Sequence, residues 1–160
     1  KEKKGNLKGL KIAWIGDGNN VCNSLIYGCA KSGIKISIAT PKGFEPDQTV
    51  TKKSKKKIKI LLTTDPQTAV KNADVVITDT FTSIHNRDKN REKKFYPKFQ
   101  VNSSLMKKAK SNAIFLHCLP AKRGKEVTSL VIDGSQSAVW DQAENRLHTQ
   151  KALLVSLLGI

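Results

Sequence analysis

Short apolar runs recur along the chain, and polar or turn-forming residues flank each of them. The runs occupy positions 10–15, 34–39, 58–62, 74–78 and 113–116, and they predict five strands. Between the first two strands, apolar residues at helical spacing predict a helix over residues 21–32. Asn19 or Asn20 is suited to cap its start, and Gly33 is suited to end it. A strand, a helix and a strand within about 30 residues form a βαβ unit, which requires parallel strands.

Helices are also predicted between the later strands. Residues 49–57 are predicted to form a polar helix or an irregular segment, and a further helix is predicted within 83–99. Three other helices have a candidate first residue or cap: 66–72 with Asp65, 103–110 with Ser103, and 141–158 with Asp141 or a neighbour. Strands that alternate with helices through short links are typical of the α/β class. We therefore predict one domain over residues 1–160, a doubly wound, Rossmann-like parallel sheet with helices on both faces.

The chain is strongly basic, with 29 Lys and Arg against 13 Asp and Glu in 160 residues, a formal net charge of +16. Such a charge is typical of nucleic-acid-binding proteins. However, the lysines are spread over the whole chain, and the densest cluster, Lys52 to Lys59, contains no aromatic residue that could stack on a base. A solvated lysine-rich surface is therefore the favoured interpretation, and we expect no nucleic-acid partner.

Cysteine content and hydropathy bear on the compartment. Cys22, Cys29 and Cys118 are an odd number without disulfide or metal-ligand spacing. Cys22 and Cys29 are seven residues apart, so they share one face of the predicted helix, where cysteine packs as a small hydrophobe. No apolar stretch approaches the roughly 20 residues that cross a bilayer. We expect reduced thiols, a cytoplasmic location and no membrane association.

Three polar clusters follow predicted strands, at 16–20, 79–83 and 117–120. Ligands of doubly wound sheets bind at the carboxyl ends of strands, so these clusters are candidate binding groups. Gly16-x-Gly18 resembles the start of a dinucleotide fingerprint, but Val21 stands where the third glycine is required. The cluster instead predicts a helix N-terminus that suits a carboxylate, with Asn20 as a further donor and acceptor. The alternative is that the asparagines only cap the helix.

The side chains of the other clusters leave several interpretations open. Asp79 could hold an ammonium group and Ser83 could donate to a carboxylate, although loop residues of these types usually bond to their own backbone. Cys118 could be a nucleophile, a polar wall or inert packing, and the many basic residues would favour its thiolate. A cis bond before Pro120 would turn backbone carbonyls toward a ligand. Arg146 suits a phosphate, or it is a solvated helix residue.

Taken together, the motifs resemble those of one enzyme family. The matching segments are Trp14-Ile15-Gly16-Asp17-Gly18-Asn19-Asn20, Thr78-Asp79-Thr80-x-x-Ser83, His117-Cys118-Leu119-Pro120 and Asp141-Gln142-Ala143-Glu144-Asn145-Arg146. In order and spacing they are similar to the ornithine carbamoyltransferases of the aspartate/ornithine carbamoyltransferase family. Nearly the whole chain resembles the C-terminal, ornithine-binding domain of these enzymes. Aspartate carbamoyltransferases share the fold but typically lack the cysteine of the third segment.

The resemblance implies an ornithine site. Asn20, Asp79 and Ser83 would hold the α-amino and α-carboxylate ends of L-ornithine, and Ile84 would add a backbone contact. The neutral δ-amine would attack the carbamoyl carbon of carbamoyl phosphate, giving citrulline and phosphate in arginine metabolism. The family's chemistry uses no metal and no organic cofactor.

The resemblance also implies which residues meet the second substrate. Cys118 and Arg146 would be catalytic, with Cys118 beside the reacting δ-amine. Leu119 would offer its carbonyl to the carbamoyl group, and Arg146 would bind carbamoyl phosphate. The physical requirement is to hold two substrates together and to stabilise charge that develops on oxygen.

Two departures from the family pattern limit what the resemblance implies. The segment after the aspartate ends Ser-Met-Gly in the family and Ser83-Ile84-His85 here. Family members also carry an N-terminal domain with Ser-Thr-Arg-Thr-Arg and His-Pro-x-Gln motifs, and neither motif occurs in this sequence. We therefore expect an ornithine-binding half that is inactive alone, that meets carbamoyl phosphate only with a complementary domain, and that belongs to a homotrimeric enzyme when complete.

Two classes of function are carried forward. One is the enzyme half, and the other is a non-catalytic amino-acid-binding or interaction module left from a split or decayed carbamoyltransferase. The almost wholly apolar run at 152–158, which packs on the N-terminal domain in the family, predicts a surface that a partner covers. Citrulline formation with a complementary domain separates the two classes.

Overall fold

A five-stranded sheet forms the centre of the computed structural model, which describes residues 2–82 and 89–159. The strands are β1 Lys11–Ile15, β2 Lys35–Ala39, β3 Ile60–Thr63, β4 Val75–Thr78 and β5 Ile114–His117. They pair in the order β3-β2-β1-β4-β5, and every pair is parallel. The predicted α/β class with a Rossmann-like parallel sheet is confirmed.

Seven helices lie between or after these strands within the described ranges. They are α1 Asn20–Ser32, α2 Gln48–Lys55, α3 Pro66–Val70, α4 Lys89–Phe95, α5 Ser103–Met106, α6 Ser129–Ile132 and α7 Val139–Leu158. The predicted ends of the first helix are confirmed, because the Asn19 side chain accepts from the Cys22 amide and Gly33, in the left-handed region, donates to the Cys29 carbonyl. The predicted cap of α3 by Asp65 is confirmed as well.

The structure differs from the predicted elements around α5, α6 and α7. The predicted helix over 103–110 ends at Met106, and its cap is Asn102 rather than Ser103. It stops early because the amide of Lys110 donates to the carbonyl of Ala73 and so leads the chain toward β5. The short α6 was not predicted, since four residues are too few to show a helical period. The last helix begins at Val139, two residues before the predicted start.

Side chains alternate along the strands and divide the core in two. Ile12 and Trp14 of β1 pack on one face of the sheet with buried residues of α1, including Ile26. Ala13 and Ile15 pack on the other face, with residues of α3, α4, α5 and α6. The predicted placement of helices on both faces is therefore confirmed, and the sheet that carries the strand-end loops is buried on both faces.

Apolar surface remains uncovered around α7. Leu153, Leu154, Leu157 and Leu158 are all more than half exposed. A largely apolar groove of about 460 Å³ also separates this helix from the sheet. In the described ranges no helix is long and apolar enough to span a membrane.

Candidate functional site

The strand order reverses between β1 and β4, and this reversal creates a crevice at their carboxyl ends. From β1 the chain passes outward to β2 and β3, then returns to β4 on the other side of β1 and continues to β5. Ile15 aligns with Thr78, and Thr78 aligns with His117. The buried Thr78 hydroxyl donates to the Ile15 carbonyl at 2.6 Å. The residues that follow these three strands therefore begin side by side, where such folds bind ligands.

Gly18 lets the loop after β1 pack against the loop after β2. Its amide donates to the Phe44 carbonyl at 2.8 Å. A Cβ atom at this position would lie 2.3 Å from the Pro46 nitrogen, so a side chain would force the loops apart. This close approach accounts for Gly18, and a φ of 130° accounts for Gly16, so the Gly-x-Gly pair needs no dinucleotide to explain it.

The Asp79 carboxylate is the centre of the hydrogen bonds at the crevice. Its Oδ2 accepts from the Asn19 Nδ2 at 2.8 Å, and its Oδ1 accepts from the Thr80 amide at 2.8 Å. The Cys118 thiol donates to the same Oδ1 at 3.2 Å. The ion pairs found between described residues include none with Asp79. The carboxylate is thus held in place by neutral donors.

Cys118 is a protonated thiol rather than a thiolate. Partial burial raises its pKa to about 12, and the hydrogen bond and negative charge of Asp79 add to this rise. The positive charge of Arg146 opposes the rise but does not reverse it. Arg146 favours the thiolate, as expected of a basic residue, but burial and the adjacent carboxylate outweigh it. The side chain is suited to donate a hydrogen bond, not to attack a substrate.

A buried histidine and glutamate orient the backbone beside this cysteine. His117 and Glu126 have fully buried side chains, and the Nε2 of His117 lies 3.3 Å from the Glu126 Oε1, without the angle of a hydrogen bond. The His117 Nδ1 accepts from the Leu119 amide at 2.9 Å, which assigns the ring proton to Nε2, toward the glutamate. Leu119 has a φ of 56° and precedes a cis bond to Pro120, a possibility that the sequence had left open.

Asp79, His117 and Cys118 have possible metal-ligand atoms within 4.8 Å of one another. However, one ring nitrogen of His117 accepts from the Leu119 amide and the other faces Glu126. A metal ion would have to displace these contacts. The cluster is therefore better suited to hydrogen bonding with an organic ligand than to metal binding.

The other predicted site residues differ in how closely they approach this centre. Asn20 is exposed at the first position of α1, next to the capping Asn19. Arg146 is exposed on α7, close enough to Cys118 for its charge to influence the thiol. Ser83 and Ile84 lie outside the described residues.

Sequence reasoning missed two contributors to the crevice. Asn19 was predicted only as one of two alternative caps, yet its amide group also holds Asp79, 60 positions away. Glu126 was not predicted, although an acidic residue within a basic segment is a local signal that a specific partner is present. The segment Arg123-Gly124-Lys125-Glu126-Val127 lies in a loop, where apolar periodicity gives no guidance.

A doubly wound sheet with a carboxylate and a thiol converging at its switch point defines a small-molecule-binding α/β domain. Comparison with known proteins then gives the family. Residues 8–157 match the family model described as aspartate/ornithine carbamoyltransferase, Asp/Orn binding domain. The chain belongs to this family.

Individual relatives agree with the family model. A curated protein from Cenarchaeum symbiosum named ornithine carbamoyltransferase is 66% identical over 157 residues, which cover 98% of this chain and 52% of the relative. A Carboxydothermus hydrogenoformans protein with the same name is 53% identical, over 99% of this chain and 53% of its own length. The solved ornithine carbamoyltransferase of Pyrococcus furiosus superposes with a TM-score of 0.90 at 49% identity, covering 96% of this chain and 51% of that one. The chain spans about half the length of the relatives it matches.

Proposed function

We propose that this chain is the ornithine-binding half of an ornithine carbamoyltransferase. The complete enzyme would transfer a carbamoyl group from carbamoyl phosphate to the δ-amine of L-ornithine, giving citrulline and phosphate. The observation that carries the proposal is the Asp79 carboxylate, which neutral donors fix at the switch point without a cationic partner among the described residues. Such a carboxylate is suited to an ammonium group.

The amino-acid end of ornithine would meet the residues after β1 and β4. Asp79 would accept from the α-ammonium group, and Asn20 would lie close by at the start of α1. Ser83 would donate to the α-carboxylate, and the backbone of Ile84 would add a contact. The free amides at the start of α1 also favour negative charge near this end of the substrate.

The reacting end would lie beside Cys118. Because its pKa is raised to about 12, the thiol stays protonated at neutral pH, donates its hydrogen to Asp79 and adds no negative charge beside the amine. A neutral partner does not stabilise the charged, unreactive form of the δ-amine. The Leu119 carbonyl, oriented through His117, would contact the carbamoyl group.

Carbamoyl phosphate would be held mainly by a complementary domain. Arg146 would contribute one guanidinium to the phosphate, and one exposed cation is not enough to bind a dianion tightly. The exposed leucines of α7 support a partner at this helix, because isolated domains rarely leave such a run uncovered. We further propose that residues 1–160 act as a single domain, that the complete enzyme is a trimer, and that it works in the cytoplasm, where free cysteines persist.

The test measures ornithine binding and citrulline formation separately. Calorimetry with the purified chain is expected to detect L-ornithine binding, and lysine of equal charge but greater length is the matched control ligand. Citrulline is expected only after addition of the remaining half of the Cenarchaeum symbiosum relative. Binding without citrulline, even with that half present, would favour a non-catalytic amino-acid-binding module. Turnover by the chain alone would contradict the expected division between two domains.

A further inference from the structure

The guanidinium of Arg91, in α4, joins three segments around the crevice and has no part in the reaction proposed above. It forms an ion pair with Asp17, in the loop after β1. Its Nε donates to the carbonyl of Phe81, two residues beyond Asp79, at 3.2 Å. Its Cζ lies 4.6 Å from the ring centre of Phe44, in the loop after β2. One side chain therefore spans the carboxyl ends of three strands.

The ion pair is mostly buried, so each charged side chain needs the other to compensate its charge. The Arg91 and Asp17 side chains are 21% and 15% exposed. Removing one partner of such a pair leaves an uncompensated charge with little access to water, so the loop around it would rearrange. This loop leads directly to Asn19, the residue that holds Asp79.

The ion pair also gives two neighbouring carboxylates, Asp17 and Asp79, different electrostatic environments. Burial raises the pKa of Asp17, Arg91 opposes that rise, and the negative charge of Asp79 adds to it. Asp17 and Asp79 therefore lie close enough to repel each other. Because Arg91 is engaged by Asp17, Asp79 is the one of these two carboxylates that has no cationic partner among the described residues.

An aromatic cluster beneath Arg91 keeps this arrangement rigid. Phe81 stacks on Phe95 with ring centres 4.9 Å apart, and Phe44 meets Phe95 edge-on at 4.8 Å. The Phe81 ring also lies against Gly16, where an added Cβ would be 3.7 Å from it. Pairs of this kind add about 0.5–1.5 kcal/mol each beyond area burial. The Arg91 guanidinium packs over two rings of this cluster, those of Phe44 and Phe95.

We propose that Arg91 is a positioning residue for amino-acid binding. Through Asp17 and the Phe81 carbonyl it sets the distance between the loop of Asn19 and the Asp79 carboxylate. Arg91 itself makes no contact with ornithine in this scheme. The inference rests on the proposed ornithine site and adds a residue that determines its geometry.

The experiment is calorimetry of L-ornithine with the full 160-residue chain and five variants, each checked by thermal melting. Arg91→Met keeps the length of the stem without the guanidinium and is expected to weaken binding about tenfold. Arg91→Lys keeps the charge without the planar fork and is expected to recover only part of the loss. Asp17→Asn is expected to weaken binding, and the double variant D17N/R91M to bind no more weakly than R91M, since both act through one pair. Arg123→Met, which removes an exposed ion pair to Asp133, is the control and should bind normally.

The outcomes separate this inference from the function on which it rests. Absence of ornithine binding by the wild-type chain overturns the proposed function and the inference together. Normal binding by R91M, with the wild type also binding, overturns the inference alone. The inference alone is also overturned if the losses of binding free energy in D17N and R91M add up in the double variant. Additive losses would indicate that the two substitutions damage the structure independently. If R91M does not melt cooperatively, R91K and D17N decide the question by the same criteria.

Discussion

Two aspartates flank β4, one before the strand and one after it, and their partners differ. Asp74 accepts from the Lys11 amide at 2.9 Å and from the Lys110 ammonium at 2.6 Å. Among the described residues, Asp79 is held by two amide groups and a thiol, all uncharged. A carboxylate whose charge is already matched stabilises the fold, whereas one fixed by neutral donors keeps its charge for a ligand. We therefore propose different roles for the two aspartates at the ends of this strand.

The pKa of Asp74 reflects its role in the fold. Burial alone would raise this pKa, but the hydrogen bonds from Lys110 and Lys11 outweigh it and hold the pKa below its ordinary value. Asp74 also ties the start of β1 to the start of β4, because Lys11 opens β1. It lies at the opposite end of the sheet from the proposed ligand.

The largest expected effect on ligand binding is that of Asp79→Asn, which removes the charge and keeps the shape. Loss of one partner of an enclosed charge pair costs about 2–5 kcal/mol, which weakens ornithine binding at least about 30-fold. Calorimetry measures this loss, and the melting temperature should change little. Unchanged ornithine affinity in D79N would remove Asp79 from the site.

The second effect concerns the chemical reactivity of Cys118. A thiol with a pKa of about 12 has about one ten-thousandth of its population ionised at pH 8, so alkylation by iodoacetamide should be at least about 100-fold slower than in the urea-unfolded chain. Peptide mapping by mass spectrometry isolates this cysteine from Cys22 and Cys29. D79N should react faster than wild type, because Asp79 helps to raise the thiol pKa. Rapid alkylation of the folded wild-type chain would contradict the raised pKa.

The third prediction concerns Asp74→Asn, which makes the same substitution as D79N at the other end of β4 and serves as its control. The variant loses a charged hydrogen bond to Lys110, and we expect a decrease of about 1–3 kcal/mol in the free energy of unfolding. Ornithine affinity should stay at the wild-type value, since the change lies at the other end of the sheet. Urea denaturation and calorimetry measure the two quantities. A variant that kept its stability but lost the ligand would reverse the roles assigned to the two aspartates.

The smallest effect is the pH dependence of that stabilisation. The pKa of Asp74 is lower in the folded than in the unfolded chain, so its contribution is present above about pH 4 and is lost as the pH falls through the folded pKa. The difference in unfolding free energy between wild type and D74N should therefore shrink below about pH 4. Urea titrations at neutral and acidic pH measure it. A difference that grew on acidification would have the wrong sign.

The sequence predicts the sheet well because the periodicity and the length of an apolar run are local properties of the chain. All five strands lie within two residues of their predicted bounds, and Asn19 and Gly33 cap α1 as their side-chain chemistry suggests. Asp79 and Cys118 were predicted to converge because carboxyl ends of parallel strands share one edge, and they form a hydrogen bond. The sequence alone could also predict the family.

What the sequence did not predict depends on contacts between distant positions. The partners of the Arg91–Asp17 ion pair are 74 positions apart in the sequence. Because Arg91 lies in a highly charged segment, the sequence alone does not distinguish it from a solvated surface arginine. The raised pKa of Cys118 could not be predicted, since net charge says nothing about burial or about an adjacent carboxylate. The early end of α5 likewise follows from a hydrogen bond to Ala73, not from helix propensity.

The most direct test of the account is an NMR titration of the isotope-labelled chain with L-ornithine. Binding at the switch point should shift the amide signals of Asn20, Thr80 and Leu119 first, and D79N should abolish those shifts. The signals near Asp74 should stay unchanged in both proteins. Shifts confined to the groove beside α7 or to the lysines of α2, with those of the crevice unmoved, would contradict an ornithine site at the carboxyl ends of β1, β4 and β5.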